Sequence, residues 1–444
     1  MKEILVIGAG RSASTLIQYL LNQTSSHDWF VTVADTNVAL ANEKVRGHKA
    51  GKAVAFDLHD QPERESRINN ADLVISMLPA RMHMEVANTC LSFCKHLLTA
   101  SYVSPEMQMI SEDAKTKGLI FLNECGLDPG IDHMTAQQDI DRIKSEGGRL
   151  ISLKSFTGGL IAPESDNNPW NYKFTWNPRN VVTAGQGVAK FIRQGRYKYI
   201  PYHSLFTRTE PVNIKGWGAF EGYPNRDSLK YREKYGLQDI PTMLRSTLRR
   251  PGFCKAWNVF VQLGLTDDSY ALEDSENMSY RDYANAFLYY HPTKSVEEKL
   301  CEYMSLKRDG GVFKKIQWTG LFERTKIPLP NATPARILQH LLEDKWRLDP
   351  EDKDMIVMQH QFEYELKDQG HQLVSSLVTL GSEPPHTAMS KTVGWPLGIA
   401  AKLILTDQIK ARGVLTPTIQ EIYGPILKEL KALGVEMLEE HKKL

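Results

Sequence analysis

The first third of the chain alternates short apolar runs with mixed segments. KEILVI at the start, then residues 30–34, 53–57, 72–79, 96–101 and 119–122, are mostly apolar and β-branched, and each is followed by a helical or turn-like stretch. Near-continuous apolar strands separated by helices predict an α/β fold with a doubly wound parallel sheet buried on both faces. Beyond Gly130 the pattern changes. A helix is expected over 131–145, a strand over 150–156, and then a long polar loop, GGLIAPESDNNPWNYKFTWNPR. The aromatics Trp170, Tyr172, Phe174 and Trp176 argue against disorder in that loop, and they serve either as anchors to a core or as ligand contacts. Helix formers dominate 239–354, with amphipathic stretches at 296–306 and 335–343. Residues 355–366 and 371–380 alternate as paired strands, and the tail from Thr392 is helical with one apolar face, suited to folding back on the first domain.

The first strand carries the earliest chemical signal. KEILVIGAGRSASTLIQYLL runs from strand to turn to helix, with G-x-G-x-x-A at Gly8, Gly10 and Ala13 in the context that a dinucleotide-binding unit requires. Gly8 supplies the turn's backbone angles, Gly10 lets the main chain approach a pyrophosphate, and Ala13 lets helix and strand pack closely. Arg11 and Ser12 complete the loop, and the following helix N-terminus favours anions. The second run ends in Asp35, where a carboxylate can bind ribose hydroxyls. Ligands of such sheets lie beyond the carboxyl ends of the strands, which places Asp57, Leu78, Pro79, Ser101 and Tyr102 on one rim, together with the opening of the 126–130 turn.

Composition narrows the partners. With 444 residues, two or three domains are expected. A net charge of +1 offers no footprint for nucleic acid or an anionic membrane. The start lacks the order of a signal peptide and no run of eighteen apolar residues occurs, so a cytoplasmic location is expected. The five cysteines contain no CxxC and the thirteen histidines no HExxH, so neither a disulfide framework nor a metal is expected. Cys125 reads as packing rather than nucleophile.

NECGLDPGIDHM, residues 123–134, places four ionisable side chains, two glycines and a proline between a buried strand and a helix. In company with ASYVSPEM (100–107), SFTGGLIAPESDNNPWNYKFTWNPR, GYPNRDS (222–228), RSTLRRPGF (245–253) and KTVGWPLGIAAKLIL (391–405), this stretch resembles saccharopine reductase, the glutamate-forming saccharopine dehydrogenase. The resemblance covers essentially the full length. It implies a Rossmann domain completed by the C-terminal tail (1–127 and 392–444), an α+β substrate and dimerisation domain (128–238 and 355–391), a helical insertion (239–354) and a homodimer. It also implies the reaction: saccharopine, water and NAD or NADP give L-glutamate and 2-aminoadipate 6-semialdehyde.

That chemistry asks for particular residue types. Hydride leaves the carbon beside a secondary amine, so the amine must first be neutral, and water must then attack the imine. Tyr102 and Asp128 match the family's positions for proton handling and substrate orientation; Asp128 could instead cap the helix that follows, although Asp132 is better placed to do so. Three substrate carboxylates need forked donors. Arg226 matches the family's substrate arginine, and Ser246, Thr247 and Leu248 match a substrate-contacting stretch, flanked by Arg245 and Arg249.

Two departures stand out: Thr157 replaces a frequent cysteine, so a thiol there is not essential, and Ile161 replaces a usual proline. The nearest rival, a carboxynorspermidine dehydrogenase, would need acidic groups for its polyamine where Arg226 and Arg249 stand, and a non-catalytic nucleotide-binding scaffold need not keep Tyr102, Asp128 and Arg226 together. For the cofactor, several family members use NADP, yet their second strand does not end in an acid as this one does. A carboxylate about 4 Å from a 2′-phosphate costs on the order of 4 kcal/mol at an effective dielectric near 20, so Asp35 favours NAD over NADP. Lys44 and Arg46, the basic residues able to oppose this, lie well past the strand end.

Overall fold

The apolar runs become strands because their side chains are buried on both faces of one sheet. In the computed structural model, which describes Met1–Leu444, β1 (Lys2–Ile7), β2 (Trp29–Asp35), β3 (Gly51–Ala55), β4 (Leu73–Ser76), β5 (His96–Thr99) and β6 (Ile120–Leu122) pair in parallel. Their spatial order is 3-2-1-4-5-6, the doubly wound arrangement, with a seventh strand, Gly413–Leu415, added beside β6 by the C-terminal tail. The order reverses between β1 and β4, so the crevice of this sheet opens where Gly8 follows β1 and Met77-Leu78-Pro79 follow β4.

The tail also covers the first helix. Helix Ala388–Leu405 lies against Ser14–Gln23 so closely that a Cβ on Gly394 would come within 2.5 Å of the Leu16 amide, and one on Gly398 within 2.4 Å of the Tyr19 ring. Ser390 Oγ accepts the Thr15 amide at 3.0 Å and lies 2.8 Å from the Thr15 hydroxyl. Met1–Leu150 and Tyr364–Leu444 thus form one compact unit, which also holds the helix Ile131–Ser145 and the antiparallel pair Gln369–Leu380 with Leu438–Lys443.

Ile151–Glu363 form the second compact unit. Its sheet is mixed: Thr242–Arg249 runs parallel to the long strand that ends at Ile161 and antiparallel to Gly218–Pro224, which in turn pairs with Glu210–Ile214. A hairpin, Val188–Arg193 with Arg196–Pro201, turns on Gln194 and Gly195, both at positive φ. The stretch read as helical from 239 opens with the strand Thr242–Arg249, and its helices run from Phe253 to Lys345. For three of the four aromatics the polar loop resolves in favour of anchoring, Trp176 being half-buried. Trp170, Tyr172 and Phe174 are buried and pack against Trp346 with ring centroids at 5.3, 5.0 and 5.2 Å.

Candidate active site

The glycine loop is built as a cradle. Gly8 has φ +104, a conformation costly to any other residue, and a Cβ there would press on the Met77 carbonyl at 3.1 Å. Gly10 has open space where a Cβ would stand, so its backbone can approach a ligand, and Arg11–Ala13 lead directly into the helix Ser14–Gln23. Ala13 is buried, as close packing requires. Asp35 is tied into this cradle: Oδ2 accepts the Ala9 amide at 2.7 Å and Oδ1 the Asn37 amide at 2.8 Å. The glycine loop and the acidic strand end therefore come together as expected of a dinucleotide site. Asp57 is exposed, with Oδ1 accepting the His59 amide, and Pro79 is exposed beside half-buried Leu78.

On the same unit Tyr102 and Asp128 meet. The tyrosine hydroxyl donates to Asp128 Oδ1 at 3.0 Å, and both side chains are partly exposed. The helix Ile131–Ser145 has Gly130 at its N-cap and no side-chain capping hydrogen bond, so Asp128 does not cap it. Asp132 Oδ1 accepts the Gly130 amide at 2.7 Å, at the first turn of Ile131–Ser145. The turn itself is closed by Gly126 N donating to the Pro129 carbonyl and Ile131 N to the Gly126 carbonyl, with a cis bond between Asp128 and Pro129. Gly130 has φ +151 and no room for a Cβ, which would stand 2.0 Å from the Gly126 carbonyl oxygen. The two glycines of GLDPG thus fold a tight knuckle that presents Asp128.

Behind the knuckle lie three buried ionisable groups. Glu124, Asp132 and His133 are at most 1% exposed. His133 Nε2 is 3.0 Å from Glu124 Oε2, and Nδ1 is 3.7 Å from Asp132 Oδ2. Glu124 sits at φ +56, a conformation costing roughly 1–2 kcal/mol in a non-glycine residue. Nearby, His83 is buried and ordered by hydroxyls: Ser76 Oγ at 2.9 Å from Nδ1, and Ser101 Oγ at 2.7 Å and Thr99 Oγ1 at 3.2 Å from Nε2. Burial holds its pKa down at about 4, so the ring is neutral near pH 7. No sequence pattern signals this network, because Ser76, His83, Thr99 and Ser101 converge only through the sheet. Cys125 is fully buried, and burial pushes its thiol pKa up, away from nucleophile behaviour.

The expected substrate residues fall in the second unit. Ser246, Thr247 and Leu248 lie on Thr242–Arg249, where Pro224 pairs with Ser246 and Tyr223 with Thr247. Arg226 is two residues past the strand Gly218–Pro224, exposed, at φ +42, with its carbonyl accepting the Lys190 amide at 2.7 Å. Its neighbours differ in kind. Arg245 is buried over the Tyr231 ring at 4.4 Å, and Arg249 is buried among Tyr172, Phe253 and Tyr223. Of the three arginines, Arg226 alone offers an exposed guanidinium.

Comparison with known proteins agrees with this architecture. Residues 4–122 match the family model for the saccharopine dehydrogenase NADP binding domain, and residues 126–435 that for the saccharopine dehydrogenase C-terminal domain. The chain is 32% identical, over 99% of both chains, to saccharopine dehydrogenase [NADP(+), L-glutamate-forming] of Schizosaccharomyces pombe. It is 34% identical to the mitochondrial alpha-aminoadipic semialdehyde synthase of Mus musculus, of whose length the match covers 47%. A solved structure, the apo saccharopine dehydrogenase (L-Glu forming) of Saccharomyces cerevisiae, superposes with TM-score 0.89 at 31% identity over the whole of both chains. A sheet wound in this order, a tail that closes it and relatives matched from end to end lead to one conclusion: the chain belongs to the saccharopine dehydrogenase family.

Proposed function

We propose that this protein oxidises saccharopine with a nicotinamide dinucleotide and water, reversibly, to L-glutamate and 2-aminoadipate 6-semialdehyde. The observation that carries the reading is the Tyr102–Asp128 pair, hydrogen-bonded at 3.0 Å at the end of a dinucleotide-binding sheet. Gly8, Gly10, Arg11, Ser12 and Ala13 would hold the pyrophosphate, and Asp35 the adenosine ribose; the bound dinucleotide supplies the hydride acceptor. Asp128 takes the proton of the substrate ammonium, so that the nitrogen lone pair can assist hydride departure from the adjacent carbon. Asp128 passes that proton to solvent and, as a carboxylate again, accepts one from the water that attacks the imine carbon, returns it to the nitrogen and takes up the hydroxyl proton as the carbon–nitrogen bond breaks. Tyr102 orients Asp128 through the hydrogen bond its hydroxyl donates to Oδ1, and helps orient the substrate. Arg226 pairs with a substrate carboxylate, and Ser246, Thr247 and Leu248 contact the substrate through their backbone, the Ser246 and Leu248 side chains being buried.

For the cofactor we infer a preference for NAD over NADP. The support is the Asp35 carboxylate, held against the glycine loop by the Ala9 amide, where a 2′-phosphate would meet a like charge. The relatives named for NADP(+) point the other way, which makes the choice experimental. Saccharopine is added to the purified protein with each dinucleotide and the products identified. Glutamate and the semialdehyde, formed faster with NAD, are expected; lysine and 2-oxoglutarate, or turnover of a polyamine substrate alone, overturn the reading.

A further inference from the structure

We infer that His133 is a positioning residue for the proton-handling pair: its ring couples two buried carboxylates that clamp the two segments carrying Tyr102 and Asp128. The inference rests on the proposed role of that pair. Glu124 holds the tyrosine's segment twice, its Oε1 accepting the Val103 amide at 3.1 Å and its own amide donating to the Ser101 carbonyl at 3.0 Å. Asp132 holds the aspartate's knuckle twice in the same manner, its Oδ1 accepting the Gly130 amide at 2.7 Å and its amide donating to the Leu127 carbonyl at 3.1 Å. Each carboxylate thus spends one oxygen on the backbone beside a reacting residue, and turns the other toward His133: Glu124 Oε2 at 3.0 Å from Nε2 and Asp132 Oδ2 at 3.7 Å from Nδ1. The ring therefore lies between the two carboxylates, one facing each nitrogen.

Two further observations separate a positioning role from ordinary packing. His133 is 0% exposed, so it touches neither substrate nor solvent, and its polar atoms are turned onto groups that in turn hold the site. Glu124 occupies φ +56, a region that glycine would adopt without strain, yet the position holds a carboxylate that reaches both Val103 and His133. Preorganised support of this kind fixes the distance between two groups that move one proton, where a small displacement costs turnover rather than binding.

The test is a double-mutant cycle on the full-length protein, with His133→Leu, Asp128→Asn and both together, measuring kcat for saccharopine, KM for each substrate and dinucleotide affinity. His133→Leu is expected to lower kcat by 10- to 100-fold with dinucleotide affinity unchanged, and to have no further effect once Asp128→Asn is present, because the group it positions is gone. His133→Gln, whose amide can donate toward Glu124, should recover a large part of the loss. A folded His133→Leu protein with parental kcat overturns the inference, as does a loss of equal size in the Asp128→Asn background, which would mark general destabilisation. Parental turnover in Asp128→Asn alone would instead overturn the role given to Asp128. If His133→Leu does not fold, Glu124→Gln carries the same cycle, since it keeps an acceptor for Val103 and removes the charge facing the ring; additivity there overturns the inference equally.

Discussion

Arg226 can be isolated from its neighbours by geometry alone. Arg245 and Arg249 are packed over rings and serve the second unit's core, so their replacement should cost stability. Arg226 is exposed on a turn, and Arg226→Lys keeps its charge while losing the forked donor. We expect kcat/KM for saccharopine to fall by about 2 kcal/mol, roughly 30-fold, with an unchanged melting temperature. Unchanged kinetics would remove Arg226 from the site. His83 makes a prediction of another kind. Its native pKa of about 4 lies below the usual 6.5 of an unfolded histidine, so between these values the unfolded chain binds a proton that the native ring refuses. Stability is therefore lost as pH falls from 6.5 toward 4. Comparing urea unfolding at pH 7 and pH 4.5, the parent should lose about 2 kcal/mol more than His83→Gln; equal losses would show that the ring is not held neutral.

The helix Ala388–Leu405 shows how packing can override propensity. Alanine favours a helix interior over glycine by about 1 kcal/mol, yet at Gly394 the added methyl would meet the Leu16 backbone. Gly394→Ala should destabilise the first unit by about 1–3 kcal/mol, read as a melting temperature several degrees lower; a gain in stability would mean the helices are not in close contact. This is also where legibility in the sequence had its limit. β1 to β6 were visible because strands buried on both faces need continuous apolar runs, and the helix Ile131–Ser145 because its turn residues mark its start. The seventh strand, Gly413–Leu415, has three residues and no periodicity to read. The hairpin on Gln194-Gly195 does carry a signal in the sequence, residues in two short runs either side of a glycine turn. The glycine loop, Asp35 and the Tyr102–Asp128 pair were legible from motifs, whereas the work of Glu124, Asp132 and His133 depends on which backbone amide each oxygen meets, information that spacing does not hold.

Dinucleotide binding should report on the whole chain's stability. A ligand that binds only the native state at about 100 times its Kd adds about 2.7 kcal/mol, so thermal shift with NAD and with NADP ranks their affinities independently of turnover. NAD is expected to give the larger shift in the parent, and Asp35→Ala to narrow the gap; a larger shift with NADP, or a gap indifferent to Asp35, would place the carboxylate away from the ribose.

The unit that binds the dinucleotide is drawn from both ends of the chain, Met1–Leu150 and Tyr364–Leu444. On the ribosome the glycine motif emerges well before the helix that covers Ser14–Gln23 and the strand that flanks β6. At about 5–20 residues per second the first segment waits on the order of ten seconds to a minute with the apolar faces of Leu16 and Leu122 uncovered by the tail. Nascent chains of this protein should accordingly be clients of holding chaperones until the helix Ala388–Leu405 and the strand Gly413–Leu415 have emerged and docked.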